Sequence, residues 1–478
     1  MIDLTRTMKH NPVASKLLKN QKLLLIIIII VALFLRFWRL GYPDVDPDEG
    51  HYAYDAYHLY KANPGMVCRF HTQYHYQEQL GHPCLTQYLI AISYKLFSPS
   101  VFTARLVPAI FGSLIISLIY FISQSIFTNP LVSLTAASIY ALFPLAVKFD
   151  RTTYLDTLMA FMVAVFLAVF IKFNKSKKPI YSILLGITTG LLLLTKLSAI
   201  LILIFLLLDF SISLKKNYKQ TVTKYFFVFL GFIPVFFLGA NPQAYLNGII
   251  NPTDQNFVIQ NLLPSLKGFI YIISKKSFVQ LIPPIYLVFV LLGLIKYIRN
   301  KKPAFLLLYL FSWLPLAGSF ILGRSNFYRL LPLVVLTSFL AAYYLSLLKA
   351  NWQKVWIFTL LLWFLFASIK WGINEVNQLK PIDAKVMKFL ESSLTKQDKI
   401  YLFELPNNYI YWNDKLNLTL NPDWQNVILE DYKCVLSTDL KNQGQMLNQS
   451  LLSQKHGNFS LYNKISNNSR SILIFCQD

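Results

Sequence analysis

Long apolar runs alternate with short basic connections over most of this chain. They lie near Leu23–Trp38, Phe102–Phe127, Leu131–Val147, Leu155–Phe173, Ile180–Leu194, Leu197–Leu214, Tyr225–Ala240, Leu281–Tyr297, Ala304–Leu322, Leu330–Leu348 and Val355–Trp371. A bilayer core takes roughly 20 helical residues, so runs of this length and spacing predict eleven transmembrane helices. Leu85–Phe97 stands apart because it is short and carries Gln87, Ser93 and Lys95. It reads as an amphipathic or re-entrant helix. Beyond Gly372 the pattern turns polar and mixed, with short alternating runs such as Lys399–Phe403 and Ser471–Phe475, the signature of half-buried strands. The expected fold is therefore an all-α polytopic membrane domain over 1–372, followed by a small α/β domain over 373–478.

Composition agrees with the pattern. Hydrophobic residues make up 55% of the 478 and charged residues 14%, with a mean hydropathy of +0.46, which excludes an ordinary soluble protein. The basic segment Met1–Lys22 runs into the first apolar run without a small-residue cleavage site, so it is expected to stay as a first span. Lysine and arginine then set the orientation. If Leu85–Phe97 does not span, the clusters Lys172–Lys178, Lys215–Lys224, Lys296–Lys302 and Lys349–Lys354 share one side with the basic N-terminus. The positive-inside rule makes that side cytoplasmic. The expectation is a multi-pass protein of the plasma (inner) membrane, N-terminus cytoplasmic and C-terminal domain extracytoplasmic. The net charge of +23 is then topological signal and attraction to lipid headgroups, not a sign of nucleic-acid binding.

This topology places the first loop 39–103, the turn Lys148–Thr153, the loop Asn241–Gln280 and the tail outside. All four cysteines (Cys68, Cys84, Cys434, Cys476) fall there. Two disulfides and four free thiols are both open, because spacing does not define pairing.

Candidate chemistry gathers at the same face. The stretch Pro47-Asp48-Glu49-Gly50 puts an acidic pair between turn residues just after a span, and reads as a presented loop. Further charged groups come from separate segments: His51, His82 and Arg105 early on, then Lys148, Asp150, Arg151 and Asp156, then Lys196, and later Arg324, Tyr328 and Arg329. Cations at one depth suit a phosphate, and a carboxylate among them suits removal of a proton from a nucleophile. Structural roles compete. Arg105 and Lys196 begin spans and can snorkel, and Arg151 is the expected partner of Asp156, as a site or as a plain ion pair. His71 and His75 form the only close histidine pair in a loop with five, a weak metal motif. No glycine-rich nucleotide loop and no Gly-x-Ser-x-Gly motif occurs.

Taken in order, these stretches resemble a known family. Arg39-Leu40-Gly41…Asp48-Glu49-Gly50-His51-Tyr52-Ala53, Gly81-His82-Pro83, Phe102–Leu106, Arg151–Thr157, Thr195-Lys196 and Phe327–Pro332 are similar to the GT-C membrane glycosyltransferases. The resemblance is to the branch of protein O-mannosyltransferases and aminoarabinose–lipid A transferases. It implies a polyprenyl-phosphate sugar donor used on the external face, and an acceptor that is a protein, a lipid or a cell-envelope glycan. It makes Asp48 the acidic residue with the catalytic role, and Glu49 its neighbour. Arg105, Arg151, Lys196 and Arg329 fall where the resemblance implies donor-phosphate or structural cations, and His51, Tyr52, His82, Asp156 and Tyr328 complete the expected substrate-binding set. His51 stands where the aminoarabinose branch tends to have arginine, and His82-Pro83-Cys84 replaces a Lys-Pro-Pro type sequence.

One carboxylate on the attacking side suffices for a single inverting displacement, whereas retention needs a second as nucleophile. Asp48 is assigned as base, Glu49 as an orienting or acceptor-binding group, and Asp156 as the residue that orders the cations. No cofactor is required by this reading. A metal-dependent oligosaccharide transferase would instead use Asp48, Glu49 and Asp156 as ligands of a divalent cation. A lipid or solute transporter is the non-enzymatic alternative, and the chain has no detectable internal repeat to favour it.

Overall fold

The computed structural model describes residues 20–41, 47–61, 85–176, 178–239, 281–300, 304–315 and 327–370, and the strands of the C-terminal segment. The helices are α1 Gln21–Phe37, α2 Pro47–Lys61, α3 Leu85–Phe97, α4 Val101–Phe127, α5 Pro130–Leu142, α6 Pro144–Phe149, α7 Leu155–Lys175, α8 Pro179–Leu193, α9 Leu201–Leu214, α10 Tyr218–Gly239, α11 Pro284–Arg299, α12 Ala304–Ser312, α13 Leu331–Ser346 and α14 Ala350–Ala367. Short 3-10 turns at Leu197–Ile200 and Phe327–Leu330 lead into α9 and α13. Six of the described helical stretches are long and apolar enough to cross a membrane.

Proline writes many of the boundaries. It occupies the first positions of α5, α6, α8 and α11, where the missing N–H costs nothing and φ is already helical. The apolar run expected as one span over Leu131–Val147 is two helices. Pro144 denies a helical hydrogen bond and holds Phe143 extended, at φ −69° and ψ 121°, which ends α5 at Leu142. The acidic pair also departs from expectation. Pro47, Asp48 and Glu49 open α2 instead of lying on a loop: proline first and acids in the first turn is a helix start that suits the helix dipole. The helix expected at Leu85–Phe97 is present. At 13 residues it is about 20 Å long, short of a core of about 30 Å.

The chain divides into two compact units, one of Met1–Trp38, Pro64–Tyr88 and Val107–Ile373, the other of Arg39–Asn63, Leu89–Leu106 and Asn374–Asp478. In the first unit α13 is buried along nearly its whole length and packs against α5, α7 and α11. Helices α8 and α10 pack closely through glycine. A Cβ at Gly186 would collide with the Val228 carbonyl oxygen, and one at Gly231 with that of Ile183, the small-residue contact that lets membrane helices approach. The outward faces of α9, α10 and α14 are apolar, with Leu207, Phe226, Phe229 and Phe358 exposed, a surface suited to lipid.

In the second unit, β1 Lys399–Leu402, β2 Asn417–Leu420, β3 Cys434–Asp439, β4 Phe459–Ser466 and β5 Ser471–Gln477 form one sheet in the order β2-β1-β3-β5-β4. β1 pairs in parallel with β2 and β3, while β5 pairs antiparallel with β3 and β4. Parallel neighbours need crossover connections, and the residues that make them, 403–416 and 421–433, lie outside the described set.

Candidate functional site

In the second unit the start of α2 is locked to α4. Arg105 donates from Nε to Glu49 Oε1 at 2.6 Å and from a terminal nitrogen to Oε2 at 2.8 Å. A third nitrogen donates to the Leu40 carbonyl at 3.0 Å. Glu49 and Arg105 are each 1% exposed. A buried guanidinium–carboxylate fork holds geometry well, and removing either partner strands a charge. Arg105 thus sits under the first turn of α2 and positions the backbone that carries Asp48. Tyr52, half-buried, is further along the same helix. The side chains of Asp48 and His51, and all of His82, lie outside the described residues.

The first unit holds two more charged pairs. Arg36, on α1, donates to Asp150 Oδ2 at 2.9 Å and to the Ala141 carbonyl at 3.0 Å. Both side chains are fully buried. Thr157 and Tyr140 hydroxyls donate to the other oxygen of Asp150. Gly112 leaves the room this requires, because a Cβ there would collide with the Asp150 carboxylate. Burial pushes the Asp150 carboxyl up to about 6, against the opposing pull of Arg36 and these hydroxyls.

Arg151 does not pair with Asp156 as the sequence suggested. Its guanidinium donates to the carbonyls of Leu35, Arg36 and Trp38 at 2.8, 3.1 and 2.7 Å. These belong to the last turn of α1, whose carbonyls have no helical partner and attract a cation. The partner of Asp156 is Lys196, whose Nζ donates to Oδ2 at 2.7 Å. Asp156 stands in the first turn of α7. Lys196 is in the extended break between α8 and the 3-10 turn, at φ −163° and ψ 147°, a position with no helical ladder to occupy its backbone. Its ammonium lies 5.1 Å from the centroid of the Tyr328 ring. Tyr328 stacks on Tyr154 at 4.3 Å, and Phe149 meets both edge-on at 5.6 Å. Among the described residues, the buried Asp156 Oδ1 has no hydrogen-bond partner, and neither has the Nε of Arg329, the residue after Tyr328.

The predicted set is thus sorted. Glu49 joins Arg105, Asp156 joins Lys196 and Tyr328, and Arg151 caps a helix. Sequence reasoning missed Arg36, Tyr140, Tyr154 and Thr157. Arg36 had a readable signal, a single charge inside an apolar run, which demands a buried partner. Among the described residues no three His, Cys, Asp or Glu side chains gather as metal ligands.

Comparison with known proteins agrees with this architecture. The protein-family profile "Dolichyl-phosphate-mannose-protein mannosyltransferase" matches residues 81–238. No curated protein sequence matches the chain. ArnT from Cupriavidus metallidurans bound to undecaprenyl phosphate superposes with a TM-score of 0.62 at 14% identity, over 94% of this chain and 97% of that one. The oligosaccharyltransferase AglB from Archaeoglobus fulgidus, in complex with an inhibitory peptide and a dolichol-phosphate, gives 0.59 at 12% identity, over 87% of this chain and 69% of that one. The fold is that of the GT-C membrane glycosyltransferases. The chain is a multi-pass integral membrane protein that resembles their O-mannosyltransferase and ArnT branch.

Proposed function

We propose that this protein transfers a sugar from a polyprenyl-phosphate-linked donor to an acceptor hydroxyl at the external face of the plasma membrane. One observation carries this reading: among the described residues, the Asp156 carboxylate beside Lys196 keeps a buried oxygen, Oδ1, without a hydrogen-bond partner, and the Nε of Arg329 is likewise buried without one. Leaving such groups unpaired costs about 1–3 kcal/mol each or more. A sugar phosphate offers hydroxyl donors to the first and anionic acceptors to the second. The lipid phosphates named with the ArnT and AglB structures carry an anionic phosphate of the same kind, without the sugar.

In this reading the Asp48 carboxylate takes the proton of the acceptor hydroxyl as the acceptor oxygen attacks the anomeric carbon, the bond to phosphate breaks, and the configuration inverts. Lys196 and Arg329 offset the charge on the departing phosphate, a term that grows where water is excluded. Glu49 and Arg105 position Asp48. The full arrangement has eleven spans, a cytoplasmic N-terminus and an external α/β domain. A metal-dependent oligosaccharide transferase is the second reading, favoured by the likeness to AglB. Membranes containing the protein are incubated with polyprenyl phosphate bearing a labelled sugar. Release of free polyprenyl phosphate with label on an acceptor supports transfer, and its persistence in EDTA disfavours the second reading. No release over membranes lacking the protein sinks both.

A further inference from the structure

Strands β3 and β5 run antiparallel with Cys434 directly opposite Cys476, and the register continues through Val435 against Phe475 to Asp439 against Ser471. β5 is held on its other edge by β4, from Phe459 against Gln477 to Ser466 against Ser471, with a bulge between Leu461 and Asn463. The register is therefore fixed from both sides, and a slip by one residue would turn every side chain to the other face. Directly opposed residues of an antiparallel pair share one face of the sheet, with α-carbons about 4.5–5.5 Å apart. Disulfides bridge α-carbons about 4.4–6.8 Å apart, so the backbone already meets the requirement. The chain has 4 cysteines in 478 residues, and two of them are register partners here.

We propose that Cys434 and Cys476 form a disulfide that ties the last strand to the middle of the sheet. The bond forms by thiol–disulfide exchange with an oxidised dithiol donor. The thiolate of one cysteine attacks the donor disulfide, giving a mixed disulfide and one donor thiol. The second cysteine, as thiolate, then displaces the other donor sulfur. The protein loses two thiol protons and two electrons, and the donor leaves as two thiols. The product closes the chain from 434 to 476 into a loop, which restricts its unfolded states. The inference rests on the external placement of the tail proposed above, because such bonds persist in oxidising compartments.

The test uses the full chain in its native membrane, with free thiols trapped by N-ethylmaleimide before solubilisation. Proteolysis without reductant is expected to yield the Cys434 peptide joined to the Cys476 peptide, released by reduction. In Cys434→Ser, Cys476 becomes alkylated, and the reverse holds for Cys476→Ser. Reduction is expected to lower the melting temperature of the wild type by more than that of the double serine variant. Alkylation of both cysteines in the unreduced wild type overturns the bond, as does linkage of either one to Cys68 or Cys84. A reporter fused after Gly372 separates the causes. Alkylated cysteines with an external reporter defeat the disulfide alone, and alkylated cysteines with a cytoplasmic reporter defeat the topology with it.

Discussion

Asp48 and Glu49 are neighbours with different work. Asp48→Asn is expected to lower turnover by about a hundred- to ten-thousand-fold while donor binding persists, because an amide of the same shape cannot accept the acceptor proton. Near wild-type turnover by the purified variant removes the base assignment. Glu49→Gln acts through Arg105, whose guanidinium loses the Glu49 carboxylate at a site only 1% exposed. Its effect is a loss of about 3–5 kcal/mol of stability, read as a lowered melting temperature in detergent or nanodiscs. Loss of turnover without loss of stability would return Glu49 to the reacting groups. Lys196→Met removes the cation beside Tyr328 and is expected to weaken donor affinity about ten- to a hundredfold, since a charge-assisted contact contributes roughly 1.5–3 kcal/mol. Unchanged affinity in a folded variant would reduce Lys196 to a structural partner of Asp156.

At the scale of elements, α1 is held by charge as well as by packing. Arg36 bridges to Asp150, and Arg151 satisfies the carbonyls at the end of the same helix. Arg36→Leu leaves the buried Asp150 carboxylate alone, and about 3–5 kcal/mol of stability is expected to go at neutral pH. The pH dependence has a definite sign. The folded carboxyl is raised from 3.8 to about 6, so between those values the folded state holds a proton that the unfolded state does not, and this group adds stability as pH falls. Without Arg36 the folded value rises further and the gain begins at higher pH. The gap in melting temperature between wild type and Arg36→Leu is therefore expected to narrow from pH 7.5 to pH 5. A gap independent of pH would show that Asp150 does not titrate in this range. Nothing in the residue types around Asp150 foretold Arg36 as its partner, since the two are 114 positions apart. That Arg36 needed some partner was legible from its apolar run.

For the whole molecule the first quantity to measure is orientation. A cysteine-accessibility map is expected to place Lys172–Lys178 in the cytoplasm and the chain after Gly372 outside; the reverse would move the candidate chemistry to the wrong face. The sequence by itself determined the membrane class, the order of the helices and the alternating runs of the tail, because transfer of apolar side chains out of water acts locally and dominates at this composition. It located the charged residues worth watching for the same reason, since each is an exception in an apolar field. The tertiary structure decided who meets whom. Asp156 had Arg151 five positions away as an obvious neighbour, yet it took Lys196 from beyond the next helix, while Arg151 went to the open carbonyls of α1. Buried charges are satisfied by whatever partner the packing of helices delivers, and sequence distance does not encode that packing. The opposition of Cys434 and Cys476 is of the same kind: composition counted four cysteines, and only the register of two strands placed a pair of them face to face.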